Sequence, residues 1–136
     1  MNKLCVAIVL GMMATAVSGA SAGEPAAKHY EMRIYKAHPG KLDALNARFR
    51  DHTCRLFKQH GIEIVGFWVP TQGDEAKDTL VYILAFPSVE AQKKAWDAFR
   101  ADPEWKKARA DSEKDGPLVK GITSQNLKAT DYSPLK

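Results

Sequence analysis

Hydrophobic and polar positions alternate along Tyr30-Glu31-Met32-Arg33-Ile34-Tyr35, the period-two signature of a strand with two different faces. Met32 and Ile34 share one face, while Glu31, Arg33 and Tyr35 share the other. After Pro39-Gly40 the period changes. Leu42, Leu45, Phe49, Thr53, Leu56 and Phe57 fall in one stripe at helical spacing, which predicts a long helix from about Lys41 to His60 with one side on a sheet. Gly61 stands where a left-handed residue would end that helix. The β-branched and aromatic residues from Ile62 to Val69 predict a second strand. A polar connection, Thr71 to Asp78, leads to a third strand from Thr79 to Phe86. Ser88 caps a predicted helix over Val89 to Ala101, with Glu90 favourably placed in its first turn. Asp102-Pro103-Glu104 opens a further helix with an aspartate cap, proline at the first position and an acid behind it. Lys114 to Gly121 reads as a loop, Ile122 to Ala129 as the last strand, and Asp131 to Lys136 as a tail.

The resulting order, β-α-β-β-α-β with an extra short helix, is the ferredoxin-like α+β arrangement: a four-stranded sheet with helices on one face. The third strand is apolar on both sides, with Val81, Ile83 and Ala85 on one and Leu80, Tyr82, Leu84 and Phe86 on the other. A sheet with water on one side should alternate more cleanly, so the face without helices is expected to meet a partner or a ligand. The expected occupant is a second copy, giving a homodimer. Glu31, Arg33, Tyr35, Trp68, Tyr82, Leu84 and Phe86 are assigned to that helix-free face, as the lining of a lumen between the two copies.

Composition adds the ends of the chain. Residues 1–22 carry one charge, Lys3, then the apolar run Leu4 to Val17 and small residues closing on Ala20-Ser21-Ala22. This is the pattern of a cleavable export signal, and the run is short against the roughly 20 residues that span a bilayer. The expected organisation is a signal peptide over 1–22, a linker over 23–28 and a single domain over 29–136, exported to the periplasm or medium and free of the membrane after cleavage. Of the two cysteines, Cys5 and Cys54, only Cys54 would survive cleavage, so packing and not a disulfide must hold the fold. The 20 basic and 16 acidic residues leave a net charge of +4, with signs interspersed, which does not make a nucleic-acid footprint.

Several segments carry a family likeness. The strand Tyr30 to Tyr35, the Pro39-Gly40-Lys41 that follows, Gly66-Phe67-Trp68, Ala101-Asp102-Pro103-Glu104-Trp105 and Thr130-Asp131-Tyr132-Ser133-Pro134 occur in order along the chain. Together they resemble the NIPSNAP family. The resemblance implies a ferredoxin-like domain that dimerises through its sheets into an α+β barrel, and it implies no particular reaction. Many members carry a histidine on the third strand where this chain has Tyr82, so the resemblance also implies a more apolar lumen here, without an inward imidazole.

Arg33 is the most informative candidate. A cation on a covered face needs an anion, and Glu31, two residues away on the same side, can supply it; so could the carboxylate or phosphate of a ligand. Tyr35 and Tyr82 could donate hydrogen bonds to the same ligand, or pack their rings and bond locally. The four histidines show no metal spacing; His52 and His60 lie eight apart on one helix, and haem remains a minor option. No cofactor is expected. Trp96, Phe99 and Trp105 read as core. Two function classes follow: a barrel that binds a small, partly apolar molecule, anionic or neutral, and a cofactor-free monooxygenase or isomerase. Acid–base work needs a group near the substrate, which tilts the sequence toward binding.

Overall fold

The computed structural model describes residues 27–136. The expected signal peptide over 1–22 and most of the linker over 23–28 lie outside the described residues. Strands β1 (His29–Ala37), β2 (Glu63–Trp68), β3 (Thr79–Phe86) and β4 (Val119–Lys128) form one antiparallel sheet in the order β2-β3-β1-β4. Helices α1 (Leu42–Arg48) and α2 (Cys54–Gln59) cross from β1 to β2, and α3 (Val89–Ala101) and α4 (Pro103–Ser112) cross from β3 to β4. All pack on one side of the sheet. This is the α+β, ferredoxin-like order that the sequence predicts. Among the described residues no helix is long and apolar enough to cross a membrane.

The local signals act as expected. Ser88 Oγ accepts from the Ala91 amide at 3.1 Å and Asp102 Oδ1 accepts from the Glu104 amide at 2.7 Å, so both helices start on a side-chain cap. Gly61, with φ of 73°, turns the chain out of α2. The predicted helix from Lys41 to His60 is one rod with a wider π turn, Phe49–Thr53, inserted between α1 and α2. Thr53 Oγ1 donates to the Arg48 carbonyl at 3.3 Å within it. Leu45, Arg48, Phe49, Thr53, Leu56 and Phe57 are its buried side. The last strand begins at Val119, three residues earlier than its sequence suggests, because it keeps pairing with β1 past a bulge at Lys120.

The sheet-face assignment requires correction. Glu31, Arg33, Tyr35, Tyr82, Leu84 and Phe86 lie under the helices and not on the open side. Glu31 bonds to Gln92 and Trp96 of α3, and Tyr82, Leu84 and Phe86 are all but fully buried in the core beside Phe49, Phe57 and Phe99. Trp68 alone of the seven is on the open side, paired with Val81 across β2 and β3. The charged set can lie beneath the helices because a charge can be buried wherever its partners are complete. A bulge at Val65 in β2 changes the phase of that strand, so that Phe67 joins the core and Trp68 does not. Met32, Ile34, Val81 and Ile83 therefore form the middle of the open side, half-buried in one chain. The Trp68 indole, 51% exposed, lies back over Gly66, where an added Cβ would stand 2.7 Å from its ring.

Candidate functional site

A cleft of about 450 Å³ opens between the helices and the β1–β4 half of the sheet. Its floor is Arg33 and Tyr35 of β1 with Val119 to Ile122 of β4, and its walls come from the π turn, α3 and α4. The walls are aromatic: Phe49, Phe57, Trp96, Phe99 and Trp105. The volume lies within the range of small-molecule sites.

At the floor, Glu31 is a buried carboxylate with complete partners. Its Oε1 accepts from Arg33 Nη1 at 2.7 Å and Ser124 Oγ at 2.6 Å. Its Oε2 accepts from Gln92 Nε2 at 2.7 Å and Trp96 Nε1 at 2.6 Å. Burial alone would raise its pKa, but the bonds from Ser124, Gln92, Trp96 and Arg33 outweigh burial and hold it below the usual carboxylate range. The carboxylate accepts only, so Gln92 must present its amide N–H₂; its Oε1 then faces His29 Nε2 at 3.1 Å, which fixes that nitrogen as a donor. The Arg33–Glu31 pair expected from the sequence is thus present, as one arm of a larger network. Burial would lower the Arg33 pKa, yet the hydrogen bond and charge of Glu31 help to keep it raised, so the cation persists.

On the opposite wall, Arg48 is as buried as its core neighbour Phe49. Its Nη1 donates to Glu113 Oε1 at 2.9 Å and to Ser112 Oγ at 3.3 Å, and its guanidinium stands 5.3 Å from the centre of the Trp105 ring. Arg109 shares Glu113 at 3.3 Å. Burial would raise the Glu113 pKa, and the hydrogen bond and charge of Arg48, with those of Arg109, lower it on balance. Three buried polar atoms have no hydrogen-bond partner among the described residues: Arg33 Nε, Arg48 Nε and Tyr82 Oη. Arg33 and Tyr82 are cross-strand partners, and the Tyr35 ring lies 5.3 Å from that of Tyr82. Burial pushes the Tyr82 phenol well above the usual tyrosine range, so it stays neutral.

Of the seven residues singled out from the sequence, Arg33 and Tyr35 line the cleft and Glu31 fastens Arg33 from behind. Tyr82, Leu84 and Phe86 are core beneath the helices, and Trp68 is on the other side of the sheet. Sequence reasoning missed Arg48, Gln92, Ser124 and Glu113 as site residues and took Trp96 and Trp105 for core alone. Arg48 and Gln92 carried a readable signal, since each sits inside the apolar stripe of its helix, where a polar side chain needs an inward partner. Glu113 and Ser124 carried none, because only the tertiary fold brings them to the cleft. His60, at the C-terminal end of α2, pairs with Asp102 at 2.6 Å and ties α2 to the start of α4.

The NIPSNAP family model matches residues 30–134. No curated protein matches the chain. Among solved structures, a NIPSNAP family protein of unknown function, Atu4242 from Agrobacterium tumefaciens, is similar at 25% identity and a TM-score of 0.71, over 82% of this chain and 96% of that one. A NIPSNAP-like domain protein from Burkholderia xenovorans aligns with a TM-score of 0.69 at 17% identity, over 81% of this chain and 91% of that one. SnoaB, a cofactor-independent oxygenase from Streptomyces nogalater, shares the fold at a TM-score of 0.54 and 16% identity, over 80% of this chain and 99% of that one.

Proposed function

The chain belongs to the NIPSNAP family, and on that premise we propose that it binds a small, partly apolar, anionic molecule in the cleft between its helices and its sheet, working as an exported homodimer. The observation that carries the reading is Arg48: a buried guanidinium on the cleft wall that shares its one carboxylate, Glu113, with Arg109. Two guanidinium groups on one carboxylate leave a positive charge at the wall, which a ligand anion would balance. Binding fits the cleft better than acid–base catalysis. Both nearby carboxylates, Glu31 and Glu113, have lowered pKa values, which makes them weak bases, and Tyr82 has a raised one, which makes it a weak acid. Small molecules released by denaturing natively purified protein and identified by mass spectrometry test the proposal. The reading expects a stoichiometric anion with the wild type and none with Arg48→Met; equal recovery from both, with the variant folded, would overturn it.

The dimer rests on the corrected open face. Met32, Ile34, Val81, Ile83 and Trp68 present a continuous apolar surface that a monomer leaves to water. Pairing two such faces buries on the order of 2,000 Å² in an obligate interface. Sedimentation equilibrium at micromolar concentration should give the dimer mass, and a compact monomer would remove this part of the proposal. Export is supported by Leu4 to Val17 with Ala20-Ser21-Ala22, and intact mass of protein from the periplasm or medium should match residues 23–136.

A further inference from the structure

The lining of the cleft changes character from depth to rim. Phe49, Phe57 and Phe99 are all but fully buried in its depth, and the floor cation, Arg33, already has Glu31 at 2.7 Å as its counter-charge. The lining cations that solvent reaches are Arg109, Arg100 and Lys120, with side chains 63%, 60% and 45% exposed. An anion carried past them into the aromatic depth would lose its water and meet no uncompensated charge there. At the rim it keeps part of that water. Polarity is therefore graded, with charge at the opening and apolar surface within.

The rim cations are also short of carboxylates. Arg109 Nε donates to Glu113 Oε2 at 3.3 Å, while the other oxygen of Glu113 accepts from Arg48 at 2.9 Å. Arg100 stands 3.8 Å from Asp97, whose other oxygen accepts from Lys93 at 2.7 Å. Lys120 donates to Asp78 at 3.1 Å, and Lys36 lies 3.5 Å from the same carboxylate while also reaching Glu75 at 3.1 Å. Among the described residues, Arg109 and Arg100 meet no second carboxylate. Arg109 engages the protein through Nε alone, which leaves its two Nη groups, the fork that matches a carboxylate, without a protein partner. Exposed pairs hold their side chains weakly, so a ligand can draw these cations to itself.

Resting on the cleft reading above, we infer that the ligand is an amphipathic organic acid with one anionic group, bound with that group outward. The anionic group meets Arg109 at the rim, Arg100 and Lys120 add their charge, and the apolar body lies inward against Phe49, Phe57 and Phe99. Calorimetric titration of the purified protein with naphthoate and octanoate, each against its neutral amide, tests it. The acid that binds better should bind at least about tenfold more tightly than its amide, the worth of one charge-assisted contact. Arg109→Gln should weaken that acid at least about threefold, within the range of one exposed ion pair. Lys94→Gln, the same change of charge on an exposed position of α3 outside the cleft, should not. Raising sodium chloride from about 20 to about 500 mM should weaken the acid at least about threefold and not the amide, because a solvent-exposed contact is screened and a buried one much less. The salt series needs no variant, so it decides if Arg109→Gln does not fold. An amide that matches its acid overturns the anionic group. An acid indifferent to salt, or to Arg109→Gln in a folded variant, overturns the rim contact; if Arg48→Met still abolishes its binding, the cleft reading stands. No binding of either acid at millimolar concentration overturns this inference, and the cleft reading then stands or falls on its extracted ligand.

Discussion

On the helix side of the sheet, β1 contributes Glu31, Arg33 and Tyr35, and on the open side it contributes Met32 and Ile34. By residue type the first set belongs outside and the second inside. The structure buries the charged set because α3 and β4 complete it: Gln92, Trp96 and Ser124 join Arg33 in giving Glu31 four donors. Among the described residues the apolar set is met by the C-terminal tail, where Tyr30 Oη donates to the Lys136 carbonyl at 2.8 Å. Polarity therefore does not say which face of a strand is inside. What decides is whether the surroundings can complete each group's bonds, and a strand can carry its charges inward when they do.

The sharpest way to break this comparison is to place the same charge on each side of β3. Leu84→Glu enters the core beneath the helices, and it should cost more than about 4 kcal/mol, enough to abolish the cooperative thermal transition. Ile83→Glu, one residue away on the open side, should leave the near-ultraviolet spectrum native and instead weaken self-association at least about a hundredfold by sedimentation, through like charges meeting across the dimer. A folded Leu84→Glu dimer beside an unfolded Ile83→Glu would reverse the faces.

The Glu31 network should show an asymmetry. Glu31→Leu strands Arg33, Gln92, Trp96 and Ser124 together and should cost about 3–5 kcal/mol in chemical denaturation. Arg33→Met leaves Glu31 with three donors and should cost roughly 1–3 kcal/mol. Adding Glu31→Gln to Arg33→Met should not restore wild-type stability, because the other donors are matched to a carboxylate; full recovery would show that the pair is isolated.

Acid gives the mildest perturbation. Since the folded protein holds the Glu31 pKa below its ordinary value, the associated stability is complete above the ordinary carboxylate range and disappears as pH falls through the lowered folded value. Melting temperatures measured down to strongly acid pH should fall more steeply for wild type than for Glu31→Gln; parallel curves would mean that Glu31 contributes nothing to the acid limb.

The element order was legible because each element carries its own local signal: alternation in β1, a single stripe with Gly61 behind it in the first long helix, Ser88 and Asp102 at the starts of α3 and α4. The faces were not. They depend on partners that are distant in sequence, such as Ser124 for Glu31, and on a bulge at Val65 that local periodicity does not register. Arg33 was legible as a cation needing an anion, and Glu31 as its nearest source. Arg48 was not picked out, though its place between Leu45 and Phe49 on a buried stripe announces the same need.

Gly66 leaves the space into which Trp68 folds, and this gives the molecule an optical consequence. The chain has three tryptophans, and the sheet divides them: Trp96 and Trp105 lie beneath arginines in the cleft, and Trp68 rests half in water on the far side. Two events then leave separable traces in the emission of one protein. Assembly should dry the Trp68 indole and shift its light to the blue as concentration rises, whereas a ligand entering the cleft should change the emission of Trp96 and Trp105 at fixed concentration. Gly66→Ala, which pushes the Trp68 ring off its resting place, should alter the first trace and leave the second unchanged.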